Sequence, residues 1–329
     1  MQLLITGGTG FIGSRLAFHC HEKGNSVVVL GQTNNPTELE NARWLQSKGV
    51  RVVDVSVTDR GNLEKHLKGT DLVFHLAAAQ HEANIQNQRF WDINVSGTQN
   101  MLEASVSSGV KRFIHGSTIG VYGSALEGAI HEGSKLSPDN IYGITKAEAE
   151  KVVLRFKEKL PVVILRISET YGPGDRRLLK LFRAIKKRVF FVIGNGENLH
   201  HPIYIDDLIG AFLVAARSEK VLGKTYVLSG NEAVTTQQMV NTIAQVLECS
   251  LPKWRVPLMP FLMVAAVMET VLKPLGIQPP LHRRRMDFFR KSFFFKQDLM
   301  RSELGYSPTV TFENGARQTS NWYRERGDL

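Results

Sequence analysis

The hydrophobic positions in the first half of the chain fall in short unbroken runs. "LLIT", "SVVVLG", "VRVVDVS", "TDLVFHLAAA", "VKRFIHGST" and "PVVILRIS" follow one another. Between them the apolar residues take helical spacing, in "SRLAFHCHEKG" ending at Gly24, "ELENARWLQSKG", "RGNLEKHLKG", "INVSGTQNMLEASVSSG" and "NIYGITKAEAEK". An apolar run without polar alternation predicts a strand buried on both faces. Strands alternating with helices predict a parallel sheet covered on both sides. The expected fold class is α/β with a doubly wound parallel sheet, and ligands of such sheets bind beyond the carboxyl ends of the strands.

Beyond about Tyr171 the rhythm changes. Glycines, prolines and aromatics gather in "YGPGDRR", "VIGNGENLHHP" and "QPPLHRRRMDFFRKSFFF", and "KTYVLSG" alone still reads as sheet material. This predicts a main domain of residues 1–170 plus about 207–230. A smaller substrate-binding region, about 171–206 and 231–329, interleaves with it.

Composition narrows the class. The chain has 329 residues, enough for a substantial core, with 43% hydrophobic and 22% charged residues. Cys20 and Cys249 stand too far apart for a disulfide framework or a metal site, so no metal is expected. The chain opens on "MQLLITGG" without a basic leader, which predicts a cytoplasmic protein. The net charge is +10, with basic residues scattered apart from Lys186–Lys187 and Arg283–Arg285. No nucleic-acid motif accompanies it, which ranks that partner low and leaves a membrane surface or an anionic cofactor or small-molecule substrate. The apolar stretch Val256–Ile277 is interrupted by Glu269 and falls short of the ~18–20 residues of a spanning helix. It reads as a buried or amphipathic helix, and the basic stretch that follows leaves a peripheral membrane contact open.

"TGGTGFIG", Thr6 to Gly13, follows a strand and opens a helix. Glycines at 7, 8, 10 and 13 let the loop turn tightly and bring backbone N–H groups up to a pyrophosphate at the helix N-terminus. A plain strand–helix turn needs fewer. The next strand ends in Gly31 and Gln32, with neither an acid to grip ribose hydroxyls nor an arginine to attract a 2′-phosphate, so NAD and NADP both stay open.

Tyr142 is the tyrosine of this chain with a lysine, Lys146, four residues on, and i,i+4 side chains share a helix face. The surrounding motifs resemble the extended short-chain dehydrogenase/reductases, the NAD-dependent epimerase/dehydratase family, across nearly the whole chain. "TGGTGFIGS" is similar to their cofactor loop, "DLVFHLAA" to the strand under the nicotinamide ribose, and "NVSGTQN" to their helix-anchoring asparagine segment. "GSTIGVYG" resembles their hydroxyl motif and "YGITK" their Tyr-x-x-x-Lys, while "LRISETYGPGD" and "HPIYIDDL" match later signatures. The resemblance implies a Rossmann fold, a homodimer, and cofactor contacts at Gly7, Gly10, Phe11, Ile12, Gly13, Gly31, Gln32, Ser56, Leu76, Ala77, Ala78, Tyr142 and Lys146.

The resemblance also assigns chemistry. A free phenol titrates near 10, and a nearby ammonium favours its phenolate. Tyr142 can then take a proton from a substrate hydroxyl as hydride leaves. Thr118, four residues before Tyr122, is the expected hydroxyl donor. Ser117 is the second choice, and in a strand the two point to opposite faces. His75, before "LAA", reads as structural.

Departures from the family pattern bear on the substrate. Ile119 and Gly120 replace the acid pair of 4,6-dehydratases, which speaks against dehydration. Glu169 and His200 stand where nucleotide-sugar enzymes place asparagine and arginine, while Arg284 or Arg285 matches a phosphate-binding arginine. The expected activity is hydride transfer at a carbinol carbon, leaning to a nucleotide-sugar 4-epimerase. The alternative is a 3β-hydroxysteroid dehydrogenase or dihydroflavonol reductase-like enzyme, suggested by the apolar helix followed by "PP" and a basic stretch. A non-catalytic nucleotide-binding regulator is the remote third class.

Overall fold

The structure is a computed structural model that describes residues 1–80, 86–124, 128–252, 256–272 and 283–329, without the side chains of Glu269 and Arg283–Arg285. It divides into two units: residues 1–168, 205–229 and 296–308, and residues 169–204, 230–295 and 309–329.

The first unit holds a seven-stranded parallel sheet. Its strands are β1 (Gln2–Thr6), β2 (Ser26–Leu30), β3 (Arg51–Val53), β4 (Leu72–His75), β5 (Arg112–Thr118), β6 (Val162–Ile167) and β7 (Thr225–Leu228), ordered β7-β6-β5-β4-β1-β2-β3. The unbroken apolar runs explain this. Leu4 lies level with Val28 on one side and Val73 on the other, and all three are buried. The sequence of strands reverses direction between β1 and β4, which opens a crevice at their carboxyl ends.

The helices of this unit include α1 (Phe11–Glu22), α2 (Pro36–Ser47), α3 (Arg60–Leu67), α4 (Gly97–Ser107), α5 (Ile141–Arg155) and α6 (Ile205–Arg217). Local chemistry sets their starts. The Asn35 side chain accepts from Glu38 N–H ahead of Pro36, and Asn140 accepts from Gly143 N–H at the head of α5. A five-residue helix at Asn87–Trp91 and a π-helical stretch at Asp92–Ser96 precede α4, a wider turn that the periodicity did not signal.

Residues 296–308 were expected in the substrate-binding region but belong to the sheet unit. The physical reason is a set of anchors to that unit. Glu303 accepts from Lys224 Nζ (2.7 Å) and Tyr226 Oη (3.0 Å), and Tyr306 Oη donates to Asp207 (3.1 Å).

The second unit carries two short strand pairs, Thr170–Tyr171 with Ile203–Tyr204 and Leu199–His200 with Val234–Thr235. Its helices include α7 (Thr236–Val246), α8 (Leu258–Leu272), α9 (Arg283–Arg290) and α10 (Phe312–Glu325). A capping box starts α7, with Thr235 and Gln238 each satisfying the other's backbone N–H.

Candidate active site

The glycine loop lies at the β1 end of the crevice. Gly7 has φ +65°, and a Cβ there would stand 2.7 Å from Ala77 N. At Gly13 a Cβ would stand 2.4 Å from Gly7 O. Both positions therefore require glycine to let the loop fold over the head of α1, which carries Phe11 and Ile12. Thr6 Oγ1 accepts from the N–H groups of Leu76 and Ala77, each at 3.2 Å, and joins the loop to the end of β4 beside Ala78. Thr9 Oγ1 donates to Gln32 O (2.9 Å) and lies close over Gly31, which ties in the end of β2. Ser56 lies after β3, with Oγ 2.8 Å from Thr58 Oγ1. A bare, tightly turned loop opening a helix is a cradle suited to a dinucleotide pyrophosphate.

Thr118 ends β5, and Tyr142 sits in the first turn of α5. Both flank Gly120, where a Cβ would stand 3.4 Å from Thr118 Oγ1 and 4.0 Å from Tyr142 Cδ1. Thr118 Oγ1 accepts from Gly120 N–H (3.1 Å), which leaves its own proton to donate. Gln80 Nε2 lies 3.4 Å from Tyr142 Oη. One turn along α5, Lys146 is buried at 1% exposure. Its ammonium donates to Gly116 O (2.7 Å) and lies 3.2 Å from His115 Nε2. Burial pulls its pKa down from 10.5 to about 8, opposed in part by Glu150.

Ser117 points the other way. Its Oγ donates to Glu150, whose carboxylate also accepts from Arg166 Nε (3.0 Å) and from its terminal nitrogen (2.7 Å). Arg166 in turn donates to Tyr122 Oη (2.8 Å). The neighbouring hydroxyls thus divide: Ser117 belongs to a buried ionic cluster, and Thr118 lies outside it, bonded to Gly120 N–H.

Two histidines lie under the site. His75 is fully buried between Thr6 Oγ1 (2.8 Å) and Thr98 Oγ1 (3.0 Å), the structural place expected for it. Its ring stacks on His115, centroids 5.5 Å apart. Desolvation pushes His75 down to about 3 and His115 well below its ordinary value, so both are neutral. Asn94 holds the floor in place. Its side chain bonds Ala79 N (2.7 Å), Ala79 O (3.2 Å) and Thr145 Oγ1 (3.0 Å), linking the β4 loop to α5. His115 and Arg166 escaped the motif reading, because nothing in their local sequence marks them as neighbours of this helix; Glu150, four residues after Lys146 on the same helix, could have been found from its i,i+4 spacing.

In the second unit His200 Nδ1 lies 3.1 Å from Glu169 Oε2, and its Nε2 lies 3.0 Å from Thr236 Oγ1 and 3.1 Å from Phe288 O. His200 is 3% and Glu169 47% exposed at the side chain. Partial desolvation would raise the Glu169 pKa, but the His200 hydrogen bond and charge, with Arg177, hold it below its ordinary value. Arg177 also donates to Asp175 (3.1 Å) and to Thr170 O (2.5 Å). Arg284 and Arg285 lie on α9, but their side chains fall outside the described residues.

Known proteins extend the comparison. The chain is 28% identical over 346 residues to 3beta-hydroxysteroid-dehydrogenase/decarboxylase isoform 2 of Arabidopsis thaliana, and 96% of the chain spans 61% of that protein. A UDP-glucose 4-epimerase of Thermotoga maritima, solved with UDP-glucose, superposes with a TM-score of 0.79 at 25% identity over 99% of both chains. A UDP-glucuronic acid 4-epimerase of Bacillus cereus, solved with NAD, has a TM-score of 0.80 at 24% identity over 99% of both chains, which establishes the shared fold. The family model for the NAD dependent epimerase/dehydratase family matches residues 3–229, the span that carries the sheet, the glycine loop and the Tyr142 helix, and the chain belongs to that family.

Proposed function

We propose that this protein is an NAD(P)-dependent enzyme transferring hydride at a carbinol carbon of a nucleotide sugar, as a 4-epimerase does. The observation that carries the reading is that Thr118 and Tyr142 both flank Gly120, with a buried ammonium one turn along the Tyr142 helix. NAD(P), when bound, supplies the hydride acceptor and donor. Gly7, Gly10, Gly13 and the Leu76–Ala78 segment would hold it. Tyr142 Oη takes the hydroxyl proton of the carbinol, and the Thr118 O–H donates to the same oxygen. Lys146 supplies the positive charge that favours the phenolate. Reduction from the opposite face gives the epimer, and release of the ketone gives a dehydrogenase; the same three side chains serve both.

Glu169 supports a nucleotide sugar better than its charge alone suggests. An unpaired carboxylate would repel a diphosphate, whereas this one is paired with His200 and stands near Arg177. NAD is the cofactor we favour, in keeping with the family match. A reducing, cytoplasmic setting suits two free thiols, at Cys20 and Cys249. A homodimer through α4 and α5 suits the exposed Val106, Ile144 and Leu154 on those helices.

A second reading is a dehydrogenase of a lipid-like alcohol. The likeness to the Arabidopsis steroid dehydrogenase/decarboxylase supports it, as does the strongly apolar α8. Thermal shift with NAD present decides between them. A ligand at a hundred times its Kd adds about 2.7 kcal/mol of stability. Stabilisation by one nucleoside-diphosphate sugar supports the first reading, and stabilisation by sterols alone replaces it with the second.

A further inference from the structure

The helix α8, Leu258–Leu272, is apolar on both of its sides. At ~100° per residue, Leu258, Phe261, Leu262 and Ala265 share one side. That side packs on Ile193, Phe191, Met286 and Phe289, with Ala265 fully buried. The opposite side carries Met259, Met263, Val267 and Val271, one turn apart, with Val264 beside them. These five are between 49% and 65% exposed. Thr270 lies along the same side and spends its hydroxyl on Ala266 O (2.9 Å), so it adds little demand for water.

A helix with one apolar side against its own unit and a second facing outward is built for a further apolar surface. Charge says which. Residues 253–291 contain eight Lys or Arg and two Asp or Glu, so this short stretch holds +6 of the chain's +10. Lys253, Arg255 and Lys273 flank α8 directly in sequence, so a second copy docked stripe to stripe would bring like charges together. An anionic lipid surface attracts the charge and accepts the methyl and thioether groups.

We infer that α8 is a membrane-surface anchor. Its Met259–Val271 stripe enters the headgroup–acyl boundary of an anionic bilayer, with the helix lying in the plane of the surface. Its length fits that placement, since no helix among the described residues is long and apolar enough to cross a membrane. The inference does not depend on the substrate.

The test is co-sedimentation of the full chain with sucrose-loaded vesicles. One set is phosphatidylcholine alone, and the other an equal mixture with phosphatidylglycerol. The expected result is pelleting with the mixed vesicles, weakened by high salt. Partition should fall more than about tenfold in Met263→Glu/Val267→Glu, with an unchanged melting midpoint. Met259→Glu/Val271→Glu, at the ends of the stripe, should behave alike and covers the case in which the first pair misfolds. Failure of the wild type to bind anionic vesicles overturns the inference. So does equal binding by a folded double variant. A dimer that the same substitutions split, without any vesicle binding, assigns the stripe to a second copy instead.

Discussion

Lys146 Nζ lies 3.2 Å from His115 Nε2, so the buried ammonium rests on an imidazole and a backbone carbonyl, with no carboxylate in hydrogen-bond contact among the described residues. For His115 to accept there, its proton must sit on Nδ1, which is buried and has no hydrogen-bond partner. The ring is placed to support the charged form of Lys146.

This arrangement predicts the behaviour of His115→Phe. A phenyl ring keeps the stacking on His75 but offers no lone pair to the ammonium. Lys146 should lose its charge at lower pH and support the Tyr142 phenolate less well. The expected outcome is a fall in kcat at neutral pH of about tenfold, little change in KM, and an acid limb of the pH–rate profile displaced to higher pH. His115→Gln, which retains an acceptor, should recover part of the loss. An unmoved pH profile in a folded His115→Phe protein would show the histidine to be packing only.

Burial of Lys146 also predicts a stability signature. Its folded pKa is about 8 against 10.5 unperturbed, so between those values the unfolded chain binds more protons than the folded one. Stability from this group therefore rises with pH across that window. Relative to Lys146→Met, the wild type should gain about 3 kcal/mol between pH 8 and the upper end, the equivalent of the whole shift. Urea unfolding of both proteins at a series of pH values measures it, and parallel curves would contradict it.

Adjacent hydroxyls should separate activity from stability. Thr118→Ala should lower kcat by about 10²-fold, through loss of a donor to the reacting oxygen, and cost only about 1 kcal/mol of stability, because Gly120 N–H loses its acceptor. Ser117→Ala should keep turnover but cost about 1–3 kcal/mol, because one acceptor site of the buried Glu150 loses its partner. Tyr142→Phe should fold normally and lose about 10²–10⁴-fold in turnover. Steady-state rates beside thermal melts separate the cases, and a reversal between the two hydroxyls would exchange their roles.

The glycine loop makes a further distinction. A Cβ at Gly10 meets only Gly7 O, at 3.2 Å, whereas one at Gly13 meets Gly7 O at 2.4 Å. Gly13→Ala should therefore destabilise the fold by roughly 3 kcal/mol. Gly10→Ala should melt near the wild type and yet bind NAD far more weakly, because the added methyl stands where backbone must approach phosphate. Calorimetric titration with NAD checks both, and full affinity in Gly10→Ala would place the cofactor away from that residue.

Much of this protein is local information. Runs such as "VVVL", Val27–Leu30, specify strands buried on both faces, because they hold no polar residue to face water, and the sheet follows from their alternation with helices. The Tyr142–Lys146 pair was readable because i,i+4 spacing is a property of the helix alone. The glycine loop was readable because backbone without Cβ leaves a mark at fixed spacing.

Other features needed the chain to be folded. Ser117 and Thr118 are equivalent as letters, and only Glu150 and Arg166, reached across α5 and β6, turn one away from the site. Glu169 meets His200 thirty-one positions later, and a charge taken alone from sequence reads as repulsive when its partner is elsewhere. The sequence showed α8 to be apolar, but not which side would be left uncovered. Hydrophobic period and turn chemistry act over a few residues, so sequence by itself determined the elements and their order. Pairings between distant side chains depend on the angles and depths at which those elements pack, and the tertiary structure alone decided them.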